Sequence, residues 1–294
     1  MPSARNGTER QADLQGSCLL YRTRILTLHL RMIVSRLRGG LGNQFFQYAV
    51  GRALARRRKT KLLLDVEWFD RPDSLRTFDL HRYRIQAGKL LDSERQWIQK
   101  CTNGDFKRFA FVHRWTHFKE PDFNRYYPER TRSPRQRLFG RILAIPRLFL
   151  DCQDVIRSEL MPSAAVIEPN SELIQRIQGG NSISVHVRRG DYLTWRFIGP
   201  LPTAYYERAV ALMISQVKSP HFFVFSDDPD WVPGNFAIDA PVDYMAHDVM
   251  DARFKDLYLM SLCQHHIIAN STFSWWAAWL SSSKSALVHR IINT

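Results

Sequence analysis

ISVHVRRGDY, residues 183 to 192, is an apolar alternation that runs straight into two arginines, a glycine and an aspartate. Strand side chains alternate between faces, so Ile183, Val185 and Val187 share one face while Ser184, His186 and Arg188 share the other. Arg189 falls opposite Arg188. One guanidinium can then point into a site beside His186 while the other turns toward the protein, and Gly190 lets the backbone turn ahead of Asp191. The same string also fits a solvated edge strand closed by a salt-bridged turn, so its surroundings have to decide.

They do so by repetition. After a helix over 171–178 stopped by Gly179 and Gly180, the pattern predicts strand 183–187, helix 203–217, strand 221–225, helix 251–264, strand 266–269, helix 274–280 and strand 286–289. Strands alternating with helices in this way imply right-handed βαβ units and a parallel sheet. Such sheets bind ligands at the carboxyl ends of their strands. Three polar clusters fall at those ends: His186/Arg188/Asp191, Ser226/Asp227/Asp228 and Asn270/Ser271/Thr272/Phe273.

Upstream, MIVSRL from Met32 reads as a strand, followed by Arg38-Gly39-Gly40-Leu41-Gly42-Asn43-Gln44 and a helix to about Arg57. Phe46, Ala49, Val50, Ala53 and Leu54 give that helix one apolar face. A glycine loop between a strand and a helix start presents backbone N–H groups where an anion can sit. The glycines match neither standard phosphate loop: there is no GK[ST], and Phe45 stands where GxGxxG needs glycine. A tight turn with Asn43 as the helix cap is the alternative. Lys61 to Asp65, KLLLD, reads as a second strand.

At 294 residues, 45% hydrophobic and 24% charged, the chain can hold two ordinary domains or one large α/β domain. Its net charge of +14 implies an anionic partner such as a phosphate-bearing ligand, an acidic membrane surface or nucleic acid. Between Arg125 and Arg147 stand seven arginines and one acidic residue, Glu129. That run fits a solvated basic face, or contact with lipid headgroups or nucleic acid. Cys18, Cys101, Cys152 and Cys263 are far apart with no zinc-ligand spacing, which suggests a reduced compartment. The most apolar N-terminal run is broken by Arg22, Arg24 and Arg31, short of the roughly 20 residues a spanning helix needs. Residues 1–31 also lack a secretory core. Met32 is the expected start, with residues 1–31 a disordered or mis-called extension.

GGLGNQFFQYA (39–49), HVRRGDY (186–192), FSDD (225–228) and LMSLCQHHIIANSTFSWWAAWL (259–280) resemble, in that order, the signatures of the α-1,2-fucosyltransferases of glycosyltransferase family eleven. The resemblance spans roughly residues 32–280 and is loose in the middle. It implies an α/β, GT-B-like fold of two Rossmann-like halves, with a parallel sheet in the C-terminal half. Residues 32–170 would form an acceptor-side α/β domain and residues 171–294 the domain that binds GDP-fucose. SALVHRIINT closes the chain sooner than the resemblance leads one to expect. The implied activity is inverting transfer of fucose from GDP-β-L-fucose to the 2-hydroxyl of a galactose-containing glycan. No metal or other cofactor is implied and no nucleic-acid partner is expected; the expected setting is cytoplasmic, with the arginine run leaving peripheral contact to an anionic membrane open. The alternatives are a fucosyltransferase of another linkage, α-1,6 or protein O-linked, and a non-catalytic binder of nucleotide or nucleic acid.

Residue chemistry assigns the roles. The departing GDP gathers charge on its β-phosphate, and Arg188 presents a fixed fork of donors to phosphate oxygens that lysine cannot imitate. Ser271, Thr272 and the following backbone N–H groups, beginning at Phe273, can bind phosphate from the other side. By resemblance Gly42 and Asn43 would meet the phosphate or fucose, and Asp227 or Asp228 the ribose or guanine donors. His186 can contact the sugar, act as general base or simply pack. Asp191 is a base, an orienter of the arginines or a turn cap, with the orienter favoured. Asp228-Pro229-Asp230 matches the DxD of a metal-dependent class of glycosyltransferases, a reading the resemblance argues against.

Overall fold

The computed structural model describes residues 32–72, 74, 76–96, 117–118, 137–138, 146–162, 171–194, 199–245 and 252–290. Residues 1–31 and nearly all of the arginine run at 125–147 lie outside the described residues. The chain divides into two compact units: Met1–Arg38, Gln47–Ser74 and Gln86–Asp151 in one, Gly39–Phe46, Leu75–Ile85 and Cys152–Thr294 in the other. The glycine loop and residues 75–85 thus belong with the C-terminal half of the sequence.

In the first unit, strands β1 (Met32–Arg36), β2 (Lys61–Asp65) and β3 (Gly88–Lys89) pair in parallel in the order β1-β2-β3, with Met32 opposite Lys61 and Leu63 opposite Gly88. Helix α1 (Leu41–Arg57) follows β1. It begins where the Gly40 carbonyl accepts the Asn43 and Gln44 N–H groups at 3.0 and 3.1 Å. Asn43 therefore sits inside the first turn, and the expectation that it caps the helix is corrected: the chain's turn is already closed at Gly40. Further along α1, a Cβ on Gly51 would lie 2.9 Å from Leu62 Cδ1 and 3.1 Å from Ser35 Cβ, so glycine here permits close helix–sheet approach. Asp65, 1% exposed, is neutralised by Arg36 Nε at 2.9 Å and Arg95 Nε at 3.1 Å. A buried carboxylate without such partners would be strongly unfavourable.

In the second unit a five-stranded parallel sheet is built from β4 (Asn181–Val187), β5 (Pro220–Ser226), β6 (Val242–Tyr244), β7 (His265–Ile267) and β8 (Val288–His289), in the order β8-β7-β4-β5-β6. Helices α2 (Ser171–Gln178), α3 (Thr203–Gln216), α4 (Ala252–Leu262) and α5 (Thr272–Leu280) connect and cover it. Alternation along the strands decides the two faces. Ile183, Val185, Val187, Phe222 and Val224 pack with Tyr205, Tyr206, Ala209, Val210 and Met213 of α3. Phe223 and Phe225 turn the other way, onto Ile177 of α2, Leu259 and Met260 of α4, Cys263 and Ala277 of α5. Each fully buried phenylalanine contributes about 2–3 kcal/mol. With helices on both faces the sheet is doubly wound, and a central strand buried on both sides explains the near-continuous core of β4.

The serines of β4 are buried too, and the neighbouring β7 segment supplies their partners. Ser182 Oγ accepts the Gln264 N–H at 3.2 Å, and Ser184 Oγ lies 2.8 Å from His266 Nδ1. Burial holds His266 largely neutral, its pKa lowered to about 4, with the neighbouring His265 a lesser cause. Strand β6 was not expected from sequence. It is three residues long, at the sheet edge, and carries the polar Asp243, so it gives no periodic signal.

Candidate active site

The chain runs from β4 outward through β5 to β6, then returns to the other side of β4 for β7 and β8. The strand order reverses beside β4, and such a switch point opens a crevice at the carboxyl ends of the strands. The residues after β4 and β5 meet there.

Arg188 leaves β4 and donates from Nη2 to Asp191 Oδ1 at 2.5 Å, while Nη1 lies 2.9 Å from Asp227 Oδ2. Its guanidinium carbon also sits 5.3 Å from the centre of the Tyr192 ring. The second arginine is locked separately. Arg189 Nε donates to Asp228 Oδ2 at 3.0 Å, its backbone N–H donates to Asp227 Oδ1 at 2.8 Å, and its guanidinium lies 3.6 Å above the Trp231 ring. Ser226 Oγ, at the end of β5, accepts the Asp228 N–H at 3.0 Å and fixes the turn. Gly190 leaves room for the Asp227 carboxylate: an added Cβ would make that carboxylate shift from its place beside Arg188. The two guanidiniums thus diverge as alternation predicts, and the carboxylates of the FSDD turn hold both.

The other wall is the start of α5. Ser271 Oγ accepts the Phe273 N–H at 3.1 Å and caps the helix, which therefore begins at Thr272 and not at the expected Ser274. Thr272 Oγ1 donates to Asn43 Oδ1 at 2.8 Å. Gly42 lies so close that a Cβ would be 2.6 Å from the Thr272 carbonyl carbon and 2.7 Å from the Phe273 nitrogen. The glycine loop is thus seated directly on the N-terminus of α5, where backbone donors and the helix dipole favour an anion. Gln44, fully buried, ties the same loop to residues 75–85: its Nε2 donates to the Gly39 and Thr77 carbonyls and its Oε1 accepts the Asp79 N–H.

Every residue expected in the site can be placed. Arg188, Asp191 and Asp227 form one ion-paired cluster, Arg189 and Asp228 a second beside it, and Gly42, Asn43, Ser271, Thr272 and Phe273 one packed junction. His186 connects to that junction, its ring 5.3 Å from that of Phe273, but it is only 4% exposed. Asp227 spends both oxygens on the arginines, and Asp228 spends one on Arg189. Among the described residues no three His, Cys, Asp or Glu side chains group closely enough to hold a metal ion, and no helix is long and apolar enough to cross a membrane.

Sequence reasoning missed Arg76, whose Nη2 lies 2.5 Å from Asp191 Oδ2. It also missed Arg253, which donates to Thr77 Oγ1 at 2.9 Å and sits 3.6 Å from Asp79. Residues 75–85 have no helical or strand periodicity. Nothing in the sequence marks them: the burial of Gln44, an amide that needs partners, is seen only in the fold.

The α/β fold, with its doubly wound parallel sheet and paired arginines at the switch point, is GT-B-like. The chain belongs to glycosyltransferase family 11: residues 134–293 match the family described as Glycosyl transferase family 11. It is 29% identical over 289 residues to the O-antigen biosynthesis glycosyltransferase WbnK of Escherichia coli, covering 86% of this chain and 92% of that protein. It is 28% identical over 266 residues to an alpha-1,2-colitosyltransferase of Escherichia coli, covering 86% and 89%. In fold it resembles the NodZ alpha-1,6-fucosyltransferase of Bradyrhizobium co-crystallised with GDP, at a TM-score of 0.52 and 17% identity over 85% of this chain and 92% of that one.

Proposed function

We infer that the protein is an inverting α-1,2-L-fucosyltransferase that moves fucose from GDP-β-L-fucose to the 2-hydroxyl of a galactoside. One observation carries this reading: the Arg188 fork, held by Asp191 and Asp227 at the switch point of a family 11 fold. In the reaction the acceptor oxygen bonds to the fucose anomeric carbon as the bond to the β-phosphate oxygen breaks, and that electron pair leaves with GDP. Arg188 stabilises the charge growing on the phosphate, a task for a preorganised donor. The N–H groups at the start of α5 add to it, apart from that of Phe273, which already donates to Ser271 Oγ. This chemistry calls for no divalent cation, because the guanidinium supplies the positive charge.

The acceptor hydroxyl also loses a proton, which passes to water, since the side chains nearest Arg188 are otherwise engaged. Asp191 has 43% of its side chain exposed, and both its oxygens serve arginines, which suits it to orienting Arg188. His186, buried against Phe273, supports a packing or donor-contact role. The Ser271 and Thr272 hydroxyls are already committed within the junction, so their contribution is to aim the helix start. Asn43 then acts by seating the loop, and Asp227 and Asp228 by holding arginines.

The similarity to a colitosyltransferase supports a second donor reading, since colitose is fucose without its 3-hydroxyl. Parallel assays with GDP-fucose and GDP-colitose, each with lactose as acceptor and EDTA present, test both. We expect GDP release and transfer from GDP-fucose without added metal. Transfer from GDP-colitose alone would replace the fucose reading, and activity that appears only with Mn²⁺ would overturn the metal-free one.

A further inference from the structure

We propose that Arg76 is a positioning residue for donor binding: it keeps Asp191 neutralised when Arg188 is drawn off to the diphosphate. The inference rests on the GDP-sugar reading above. Four side chains alternate in sign through direct contacts, Arg76 to Asp191 Oδ2 at 2.5 Å, Asp191 Oδ1 to Arg188 Nη2 at 2.5 Å and Arg188 Nη1 to Asp227 Oδ2 at 2.9 Å. Arg188 is therefore satisfied by two carboxylates before any ligand arrives. A phosphate must compete with them for its N–H groups. Asp191 is the partner able to yield, because it has a second cation on its other oxygen, whereas Asp227 is also held by the Arg189 N–H.

Arg76 is well placed for this. The next residue, Thr77, is anchored twice, its carbonyl accepting Gln44 Nε2 at 2.9 Å and its hydroxyl accepting Arg253 Nη2 at 2.9 Å. The segment is thereby fixed to the glycine loop on one side and to α4 on the other. Without Arg76, Asp191 would hold Arg188 more tightly and would present a net negative charge to an incoming diphosphate, both of which weaken donor binding.

GDP itself is the probe, with binding followed calorimetrically on the full chain. Arg76→Met is expected to weaken GDP roughly 10-fold or more, and Arg76→Lys, which keeps the charge, by much less. In fucosyl transfer Arg76→Met should raise the donor KM more than it lowers kcat. The decisive variant is the double one: with Asp191→Asn added to Arg76→Met, the uncompensated charge is gone and GDP affinity should recover toward wild type. A residue that only braces the 75–85 segment, or one that touches the nucleotide itself, would not be rescued this way. Arg76→Met binding GDP as wild type does, or a double variant no better than Arg76→Met, overturns the inference alone. A wild-type chain that does not bind GDP overturns the donor reading and the inference with it.

Discussion

Gly42→Ala should damage the site far more than its size suggests. The new methyl would sit 2.6 Å from the Thr272 carbonyl carbon and 2.7 Å from both the Phe273 nitrogen and Thr272 Oγ1, where ordinary contacts begin near 3.4 Å. Two of these atoms are backbone, so relief requires moving the glycine loop from the α5 start by about 0.8 Å. Overpacking of this kind costs about 1–3 kcal/mol, and loss of the Asn43–Thr272 hydrogen bond adds about 1 kcal/mol. Alanine's better helix propensity offsets up to about 1 kcal/mol, leaving a net loss of about 1–3 kcal/mol. The catalytic effect is larger, since a displacement near 1 Å of groups that position a substrate can cost about 100-fold. Gly40→Ala is the control: a Cβ there meets nothing within 4 Å, so only a capping cost below about 1 kcal/mol is expected. Thermal unfolding and kcat/KM for GDP-fucose, measured on both variants, test the argument. Gly42→Ala is expected to lose a few degrees of Tm and about 10- to 100-fold in kcat/KM while Gly40→Ala stays near wild type. Wild-type kcat/KM in Gly42→Ala would refute the reasoning that the loop is seated on the helix start.

Other outcomes follow from the same geometry. Arg188→Lys keeps the charge but loses the fork that bridges Asp191 and Asp227, and turnover should fall about 100- to 1000-fold with little change in Tm. Gly190→Ala crowds Asp227 Oδ2, the oxygen that faces Arg188; transfer should drop at least about 10-fold, and unaltered activity would show that Asp227 does not set Arg188. His266 titrates in the folded protein near 4 against an ordinary 6.5, because burial disfavours its charged form. Its stabilising contribution is complete above 6.5 and is lost as pH falls toward 4, by up to about 3 kcal/mol. Unfolding midpoints across that window should therefore decline less steeply in His266→Asn than in the wild type. Equal slopes would place the titration elsewhere.

Much of the second unit is legible in sequence because its signals are local. The apolar alternation of β4, the Phe222–Phe225 run of β5 and the helix periodicities each announce themselves, and the polar clusters mark strand ends by position alone. What was illegible depends on contacts between distant residues. The role of Arg76 depends on Asp191 in a turn more than a hundred residues later, and nothing in the 75–85 composition announces that pairing. Asn43 looked like a helix cap because its type and place suit one, but Gly40 already closes that turn and Thr272 takes the side chain. The start of α5 moved two residues because the Ser271 hydroxyl, and not the apolar pattern, sets where helical geometry begins.

The linkage and anomeric configuration of the product test the central claim most directly. Purified protein, GDP-β-L-fucose and lactose in EDTA should yield fucose attached to the galactose 2-hydroxyl in the α configuration, read by NMR of the isolated trisaccharide. A product linked elsewhere, a β-anomer, or hydrolysis of the donor without transfer would contradict the account.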